Sequence, residues 1–377
     1  MAEQRRYRAR ELGIVVGSLP TGRWNAITDV PGVRVGMTTL IEGEPGPLRP
    51  GQGPVRTGVT VILPHEGDPF LEKVHGVTYC INGYGEVTNV DQVAELGVIE
   101  GPIALTNTFS APDVEDALMR WVEARHPEIG VSTGGVSPVV AECNDAWLND
   151  IRGRHVQPEH VFQAIERAAS GPVPEGNVGG GTGMSCFEFK GGTGTASRIL
   201  PETLGGYAVG VLAQCNFGRR SQLLVDGVPV GRELAGWHPP EAPAPGNSVV
   251  IVLATDAPVI ARQLRRLAVR CGAGLARTGA THMHGSGDFV IAFSTAQRVP
   301  HRATGATMRL EMLFDDGPIM AALFQAAAEA TEEAVLNALC KAETMAGRDG
   351  HVRHALPLDL LVEIMRRYGH RDVHLPD

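Results

Sequence analysis

The feature that most constrains the fold is an apolar run near the middle of the chain. Every residue from Val249 to Ala254 is aliphatic, and most are β-branched, which predicts a buried strand. A proline-rich segment, Trp237 to Pro245, precedes the run and predicts an exposed loop, since proline cannot donate to a sheet ladder. We therefore expect the chain to pass from an exposed loop into a central strand within three residues, Gly246 to Ser248.

Ser248, the last polar residue before this run, allows two interpretations. It can simply close the loop, because loops are rich in Gly, Asn and Ser. Alternatively, the flexible Gly246-Asn247 pair marks a place where a chain can cut itself and leave serine as a new N-terminus. A freed serine would carry its own base, because an α-amine titrates near about pH 8 whereas a peptide nitrogen is not basic.

The order of the remaining segments favours an α+β fold. Short strand-like runs are interspersed with segments whose apolar residues recur at helical spacing. Because the turns between neighbouring strands are often too short for a helical crossover, we expect antiparallel pairing with layered helices rather than a doubly wound sheet. The predicted helices span 113–125, 158–169, a segment that begins near 258 and ends just before 272, 318–345 and 358–368.

A glycine-rich block, Gly176 to Gly194, has a nucleotide-binding loop as one interpretation. A P-loop needs Lys-Ser/Thr after its last glycine, and a dinucleotide loop opens a helix. Here Met184 to Phe189 follows the first glycines and resembles a strand. We expect instead that these glycines let the backbone approach a site closely.

Composition excludes several classes of protein. The net charge is -9 without a basic run, which argues against a nucleic-acid partner. The first residues lack the features of a secretory signal, and no uncharged apolar stretch of about 18 residues exists, so we expect no membrane span. The six cysteines are scattered without paired spacing, which favours reduced thiols in the cytoplasm over disulfides or a zinc site.

Polar residues lie at the ends of several apolar runs, where strand ends form pockets. A serine nucleophile needs a base, an orienting group and donors for an oxyanion, and the amide of Asn216 is a suitable donor. The alternative is metal binding. His282 and His284 are expected to alternate on a strand and project together, and they could form a metal site if Asp288 serves as the third ligand, which the sequence does not establish. The polar residues at these ends are Glu142, Asn144, Asn216, Ser286 and Asp288, with Ser248 opening the central strand.

Several long, ordered segments resemble the DmpA-type L-aminopeptidase/D-esterase family, which includes the β-peptidyl aminopeptidases. The resemblance implies a single four-layered αββα domain over 1–377, similar in layout to N-terminal-nucleophile hydrolases but differently connected. It also implies a self-cut between Asn247 and Ser248 into an α chain, 1–247, and a β chain, 248–377, which remain together in a homo-oligomer, commonly a tetramer of heterodimers. The segments are 25–36, 83–86, 105–108, 148–151, the glycine-rich block, 246–258 and 284–289.

The resemblance also implies roles for individual residues. Ser248 would be the nucleophile and Asn216 an oxyanion donor, while Ser286 and Asp288 would orient and tune the nucleophile. Some relatives carry a glutamate at the position of Asp288, and the side chain of glutamate is longer than that of aspartate. Glu142 would hold the free amine of the substrate. Some relatives have a tyrosine near the oxyanion, but Asn144 and Trp147 lie around that position, so no tyrosine role is carried over and Asn144 is expected at the substrate pocket.

The expected function is that of a self-processing serine aminopeptidase. It would release N-terminal amino acids from short peptides, amides or esters through an acyl-enzyme on Ser248, with no cofactor or metal. A related acyltransferase is less consistent with the sequence, because such enzymes use threonine as the nucleophile. A metal-dependent hydrolase and an unprocessed binding protein that uses the glycine-rich block are the remaining alternatives.

Overall fold

A computed structural model describes residues 5–239 and 247–376. Within these ranges the helices are interspersed among groups of one to four consecutive strands. The strands are β1 Arg34–Glu42, β2 Val55–Leu63, β3 Glu72–Gly83, β4 Val98–Ile99, β5 Ile103–Asn107, β6 Val139–Cys143, β7 Ser185–Cys186, β8 Phe189–Lys190, β9 Gly192–Ile199, β10 Ala208–Asn216, β11 Asn247–Thr255, β12 Ser286–Pro300, β13 Met345–Ala346 and β14 Val352–Arg353. The helices are α1 Val90–Leu96, α2 Ala111–Glu123, α3 Pro158–Glu166, α4 Val230–Glu233, α5 Ala261–Arg277, α6 Pro318–Lys341 and α7 Leu358–Arg367.

Two sheets form the centre of the molecule. One has four strands in the order β1-β2-β5-β6, and the other has six in the order β4-β3-β12-β11-β10-β9. Most neighbouring strands are antiparallel, as the short connections predict. The parallel pairs are β5 with β6 and β11 with β12, and each is joined through a helix, α2 or α5. A parallel pair requires such a crossover.

The strand β11 shows why a fully apolar run was needed. Val249, Ile251 and Leu253 belong to the core shared with the outer helices. Val250, Val252 and Ala254 belong to the core between the two sheets. Successive side chains of a strand point to opposite faces, so a strand covered on both faces must be apolar at every position.

Helices cover the outer face of each sheet and complete the layers. Residues of α2 and α3, such as Leu118 and Val161, share a core with β2 and β6. Residues of α5 and α6, such as Leu267 and Leu336, share a core with β10, β11 and β12. The predicted four-layered αββα sandwich is therefore confirmed.

Three details of the predicted secondary structure were wrong. The helix α6 ends at Lys341 rather than near 345, and Met345 belongs to β13. The segment 184–189 is not one strand but the hairpin β7-β8, which turns at Phe187 and Glu188 with φ of 50° and 61°. The helix α5 does not end before Gly272 but continues to Arg277. Glycine is retained inside this helix where α6 comes close, because a Cβ at Gly274 would lie 2.4 Å from the carbonyl oxygen of Ala328.

The glycines of the glycine-rich block approach other backbone segments closely, and none of them lines the active-site cleft. A Cβ at Gly180 would lie 2.6 Å from the Leu105 carbonyl oxygen, and one at Gly194 would lie 2.0 Å from that of Ala334 on α6. The ammonium group of Lys190, which is fully buried, donates to the carbonyl oxygens of Met184 and Gly191 at 2.9 and 2.7 Å. The close approach predicted for this block is real, but it serves packing between layers.

A buried ion-pair network ties α6 to the six-stranded sheet. The fully buried Arg198 of β9 donates to Glu329 at 3.0 Å and to Glu333 at 2.8 Å. Arg10 also pairs with Glu333, at 2.8 Å. Pairing offsets much of the cost of burying a charge, so these partners account for glutamates on a helix that is otherwise rich in alanine. Among the helices of the described ranges, none is both long and apolar enough to cross a membrane.

Candidate active site

Ser248 lies where three strands of the larger sheet begin or end. It is the second residue of β11 and is 3% exposed. The antiparallel pairing of β10 with β11 places Asn216, the last residue of β10, opposite Ser248. The parallel pairing of β11 with β12 places Ser286 beside Asn247 and Gly287 beside Ser248. The register of the sheet thus gathers residues that are far apart in the chain.

The side-chain amide of Asn216 is held by two hydrogen bonds. Its Nδ2 donates to the Asn144 carbonyl oxygen at 2.8 Å, and its Oδ1 accepts from the Ser185 amide at 2.9 Å. These contacts fix which end of the amide is the donor, and Nδ2 lies 3.4 Å from the Ser248 Oγ. A fixed donor next to a hydroxyl is suited to stabilise an oxyanion that forms when the hydroxyl attacks a carbonyl.

Ser286 and Asp288 form a hydrogen-bonded pair with a third member, His282. The Ser286 hydroxyl donates to Asp288 Oδ1 at 2.5 Å, and His282 Nδ1 lies 2.6 Å from Asp288 Oδ2. The carboxylate of Asp288 is almost fully buried. Both of its oxygens are therefore engaged, and the shorter aspartate still reaches the Ser286 hydroxyl directly.

Glu142, the next-to-last residue of β6 in the other sheet, supplies a buried carboxylate. It is 5% exposed, accepts a hydrogen bond from the Thr108 hydroxyl, and accepts another from the Glu86 amide at 3.1 Å. Burial raises the pKa of Glu142, and the hydrogen bonds from Thr108 and Glu86 oppose that rise. No ion pair involves this carboxylate within the described residues, so it is available to a cationic ligand.

Some of these residues line a cleft of about 350 Å³. Ser248, Glu142 and Asn144 line it together, as the sequence predicted. Ser286 and Asp288 line a narrow recess instead, and Asn247 borders both the recess and the cleft. The full lining of the cleft is Gly83, Tyr84, Gly85, Thr108, Glu142, Asn144, Asn247, Ser248 and Gly285.

The two histidines considered as metal ligands diverge. His282 contacts Asp288, whereas the ring of His284 packs against Tyr84 with a centroid distance of 5.7 Å. They do not alternate on a strand as expected, because β12 starts only at Ser286 and His282 has a φ of 49°. Across residues 5–239 and 247–376, no group of three or more His, Cys, Asp or Glu side chains is arranged to hold a metal ion.

Three contributors to the site were not assigned their observed roles from the sequence. Thr108 holds Glu142, Ser185 holds Asn216, and His282 holds Asp288. The segments that contain Thr108 and Tyr84 were recognised only as part of the family resemblance. For Thr108 a signal exists, because it follows the end of β5, but Ser185 acts through its backbone and carries no signal in its side chain.

The αββα sandwich, with a serine at the start of a central strand and an amide donor beside it, matches the Ntn hydrolase fold. The match is specific at the level of the family: the model of peptidase family S58 covers residues 25–353. The chain belongs to this family. It is therefore a peptide hydrolase, and the serine aminopeptidase/amidase function expected from the sequence is confirmed at that level.

Relatives and solved structures agree with this assignment. The chain is 46% identical to a β-peptidyl aminopeptidase BapA from Sphingosinicella microcystinivorans, over 96% of this chain and 92% of the relative. It superposes on the PH0078 protein from Pyrococcus horikoshii with a TM-score of 0.91 and 52% identity, covering 96% of this chain and 99% of the other. It also superposes on the L-aminopeptidase D-Ala-esterase/amidase from Ochrobactrum anthropi, with a TM-score of 0.86, 40% identity and the same coverage. That structure is described as a prototype for the serine aminopeptidases and a variant of the Ntn hydrolase fold.

Proposed function

We propose that the chain is a single-domain precursor that cuts itself between Asn247 and Ser248 and then uses Ser248 as the nucleophile of an aminopeptidase. The observation that carries this proposal is the position of the Ser248 Oγ, 3.4 Å from the fixed amide donor of Asn216 and in the same cleft as the unpaired carboxylate of Glu142. A nucleophile, an oxyanion donor and an anionic group for an amine are the parts that such a reaction needs.

In the maturation step, the Ser248 hydroxyl oxygen attacks the carbonyl carbon of Asn247. The bond from that carbon to the Ser248 nitrogen breaks, the nitrogen takes the hydroxyl proton, and an ester links Asn247 to the Ser248 Oγ. Water then hydrolyses the ester, which leaves a carboxylate on Asn247 and a free α-amine on Ser248. Ser286, paired with Asn247 in the sheet register and hydrogen-bonded to Asp288, lies next to the bond that is cut.

In turnover, the α-amine of Ser248 takes the proton from its own hydroxyl as the oxygen attacks the first carbonyl of a substrate. Asn216 donates to the oxyanion, and the amine of the departing product takes the proton. The acyl-enzyme on Ser248 is then hydrolysed by water. Glu142 binds the ammonium group of the substrate, with Asn144 beside it in the cleft.

The size of the cleft and the names of the relatives define which substrates to test. A cleft of about 350 Å³ suits one N-terminal residue and a short remainder. One relative is a β-peptidyl aminopeptidase and another an L-aminopeptidase and D-Ala-esterase/amidase. Short peptides, amides and esters that carry β-, L- or D-amino-acid residues are therefore the substrate class that we propose. We further propose that the protein forms a homo-oligomer, a tetramer of αβ heterodimers, which the family resemblance supports. We also propose that it is located in the cytoplasm, which the scattered cysteines without paired spacing support.

The test is intact-mass spectrometry of freshly purified protein together with an aminopeptidase assay. Wild type is expected as two fragments, 1–247 and 248–377, and Ser248→Ala as one uncut and inactive chain. Ser132→Ala, at an exposed serine outside the cleft, is the matched control and is expected to be cut and active. A Ser248→Ala protein that is cut and active would contradict the proposal, and so would a wild-type protein that is active while uncut.

A further inference from the structure

A second cavity, of about 280 Å³, lies apart from the active-site cleft and is rich in basic side chains. None of its lining residues lines the cleft. Two of the basic residues, on different segments of the chain, are arginines that are 3% and 4% exposed. The basic side chains are Arg220, Arg353, His238, His351 and His354.

Neither arginine has an acidic partner within ion-pair distance among the described residues. The guanidinium of Arg220 donates mainly to backbone carbonyl oxygens, including those of His238 at 2.9 Å and Glu188 at 3.2 Å. Arg353 is less satisfied: its Nε donates to Ser185 Oγ at 3.1 Å, while its buried Nη2 has no hydrogen-bond partner. A buried guanidinium with a free donor and no carboxylate within ion-pair distance is costly, which points to a missing anion.

The acidic residue of this cavity, Glu188, does not supply the missing charge. Its carboxylate pairs with Arg219 at 3.2 Å and accepts from the Arg220 backbone amide at 3.1 Å. Burial, and less strongly the charge of Arg220, lowers the pKa of Arg353 to about 10, while Glu188 opposes that shift. The guanidinium therefore remains charged at neutral pH, and the cavity retains a net positive field.

Flat aromatic surfaces hold the basic groups in place. The ring of His351 stacks on that of Trp147 with centroids 3.8 Å apart and an interplanar angle of 3°. The guanidinium of Arg353 lies over the same indole at 4.5 Å from its centroid. The indole nitrogen of Trp147 is a further buried donor without a partner. The lining of the cavity thus includes two side chains, Arg353 and Trp147, that each have a buried donor without a partner. Both groups are already ordered by stacking, which reduces the entropy cost of binding a ligand.

We propose that this cavity is a binding site for a small oxyanion, a phosphate or a carboxylate, with Arg353 as its principal ligand. Planar guanidinium groups suit both anions, because they donate two parallel hydrogen bonds to paired oxygens. Ser185 connects this cavity to the proposed oxyanion donor. Its hydroxyl accepts a hydrogen bond from Arg353, and its backbone amide donates one to Asn216.

The experiment titrates the purified enzyme separately with inorganic phosphate and with acetate at constant ionic strength and pH, using chloride as the reference anion. Saturable heat by calorimetry is the readout for binding. The arm that saturates identifies which of the two oxyanions the site takes. Arg353→Gln is expected to weaken that binding by about tenfold or more, because a charge-assisted hydrogen bond is lost. The matched control, Arg371→Gln, removes an exposed arginine outside the cavity and is expected to bind as wild type does.

Two outcomes would overturn the proposal: no saturable binding of either anion, or equal affinity in wild type and Arg353→Gln. If Arg353→Gln does not fold, crystals of the wild type soaked in phosphate replace it. Density for the anion against the Arg353 guanidinium is then expected, and an empty cavity at saturating phosphate would refute the site. Because Ser248→Ala leaves this cavity intact, the same titration on that variant tests the anion site whatever becomes of the proposed function.

Discussion

At the scale of single residues, the surroundings of a buried carboxylate decide what it does. Glu329 and Glu333 are paired with Arg198, whereas Glu142 has only neutral hydrogen-bond donors, Thr108 and the Glu86 amide. An ammonium group of a substrate would complete the environment of Glu142. We therefore expect Glu142→Gln to reduce kcat/KM about ten- to hundredfold, the value of a hydrogen bond to a charged group. Steady-state kinetics with a peptide and with its N-acetylated form measure this.

The raised pKa of Glu142 gives this contact a pH dependence. As pH falls through that pKa, the carboxyl group gains a proton and loses its attraction for the ammonium, so KM of wild type should rise on the acid side. In Glu142→Gln this acid-side rise in KM should vanish. Glu86→Gln, which keeps the backbone donor, serves as the control and should keep the rise. If KM of Glu142→Gln still rises at acid pH as in wild type, the substrate amine contacts another residue.

His282 is the clearest residue-level addition to the site. Its Nδ1 lies 2.6 Å from Asp288, whose other oxygen holds the Ser286 hydroxyl. We expect His282→Gln to lower kcat about tenfold with KM little changed, because the histidine positions Asp288 and does not touch the substrate. His282→Asn, which can donate from nearly the same place as Nδ1, should recover part of the rate. His374→Gln changes an exposed histidine far along the chain and should behave as wild type. An equal loss of kcat in His374→Gln, or a rise in KM without a loss of kcat in His282→Gln, would contradict a positioning role for His282.

At the scale of elements, the sequence was most informative where burial constrained every residue of a strand or one whole face of a helix. The strand β11 is apolar throughout because both of its faces are buried, and the helices α2 and α3 show their buried stripes directly. The hairpin at Phe187 and the length of α5 were missed, because each depends on contacts with distant segments. The same limit applies to the site. Residue types at strand ends made Ser248 and Glu142 candidates, and the family resemblance gave them roles, whereas the anchoring of Asn216 by a backbone amide has no sequence pattern.

Close packing of α6 on β9 gives a prediction at this scale. A Cβ at Gly194 would lie 2.0 Å from the Ala334 carbonyl oxygen and 2.5 Å from the Ala338 nitrogen, both of which belong to helix backbone and cannot move aside. Gly194→Ala is expected to lower the free energy of unfolding by about 1–3 kcal/mol through overpacking. Gly134→Ala, where a Cβ meets nothing within 4 Å, should change it by less than about 0.5 kcal/mol. Denaturant unfolding of both variants in the uncut Ser248→Ala background measures the difference, and equal stabilities would show that the two layers separate easily.

At the scale of the whole molecule, the proposed cut would divide the chain without dividing the fold. The β chain, 248–377, would supply β12 and nearly all of β11, the two strands at the centre of the six-stranded sheet. The α chain would supply their neighbours, since β11 pairs with β10 and β12 pairs with β3. The helix α6 of the β chain also holds Arg198 of β9 through buried ion pairs. Separation would therefore expose the apolar centre of the sheet and leave buried charges unpaired.

This arrangement predicts that the mature fragments remain associated under native conditions and separate only on unfolding. Size-exclusion chromatography with light scattering should give one species that contains both fragments in equal amounts, at the mass of four heterodimers if the proposed tetramer forms. In denaturant the two fragments should elute separately. Uncut Ser248→Ala, which retains every strand pairing, should elute natively at the same mass as wild type. Fragments that part without denaturant would mean that the strand pairings across the cut do not hold the molecule together, whereas a smaller native mass with paired fragments would correct only the tetramer.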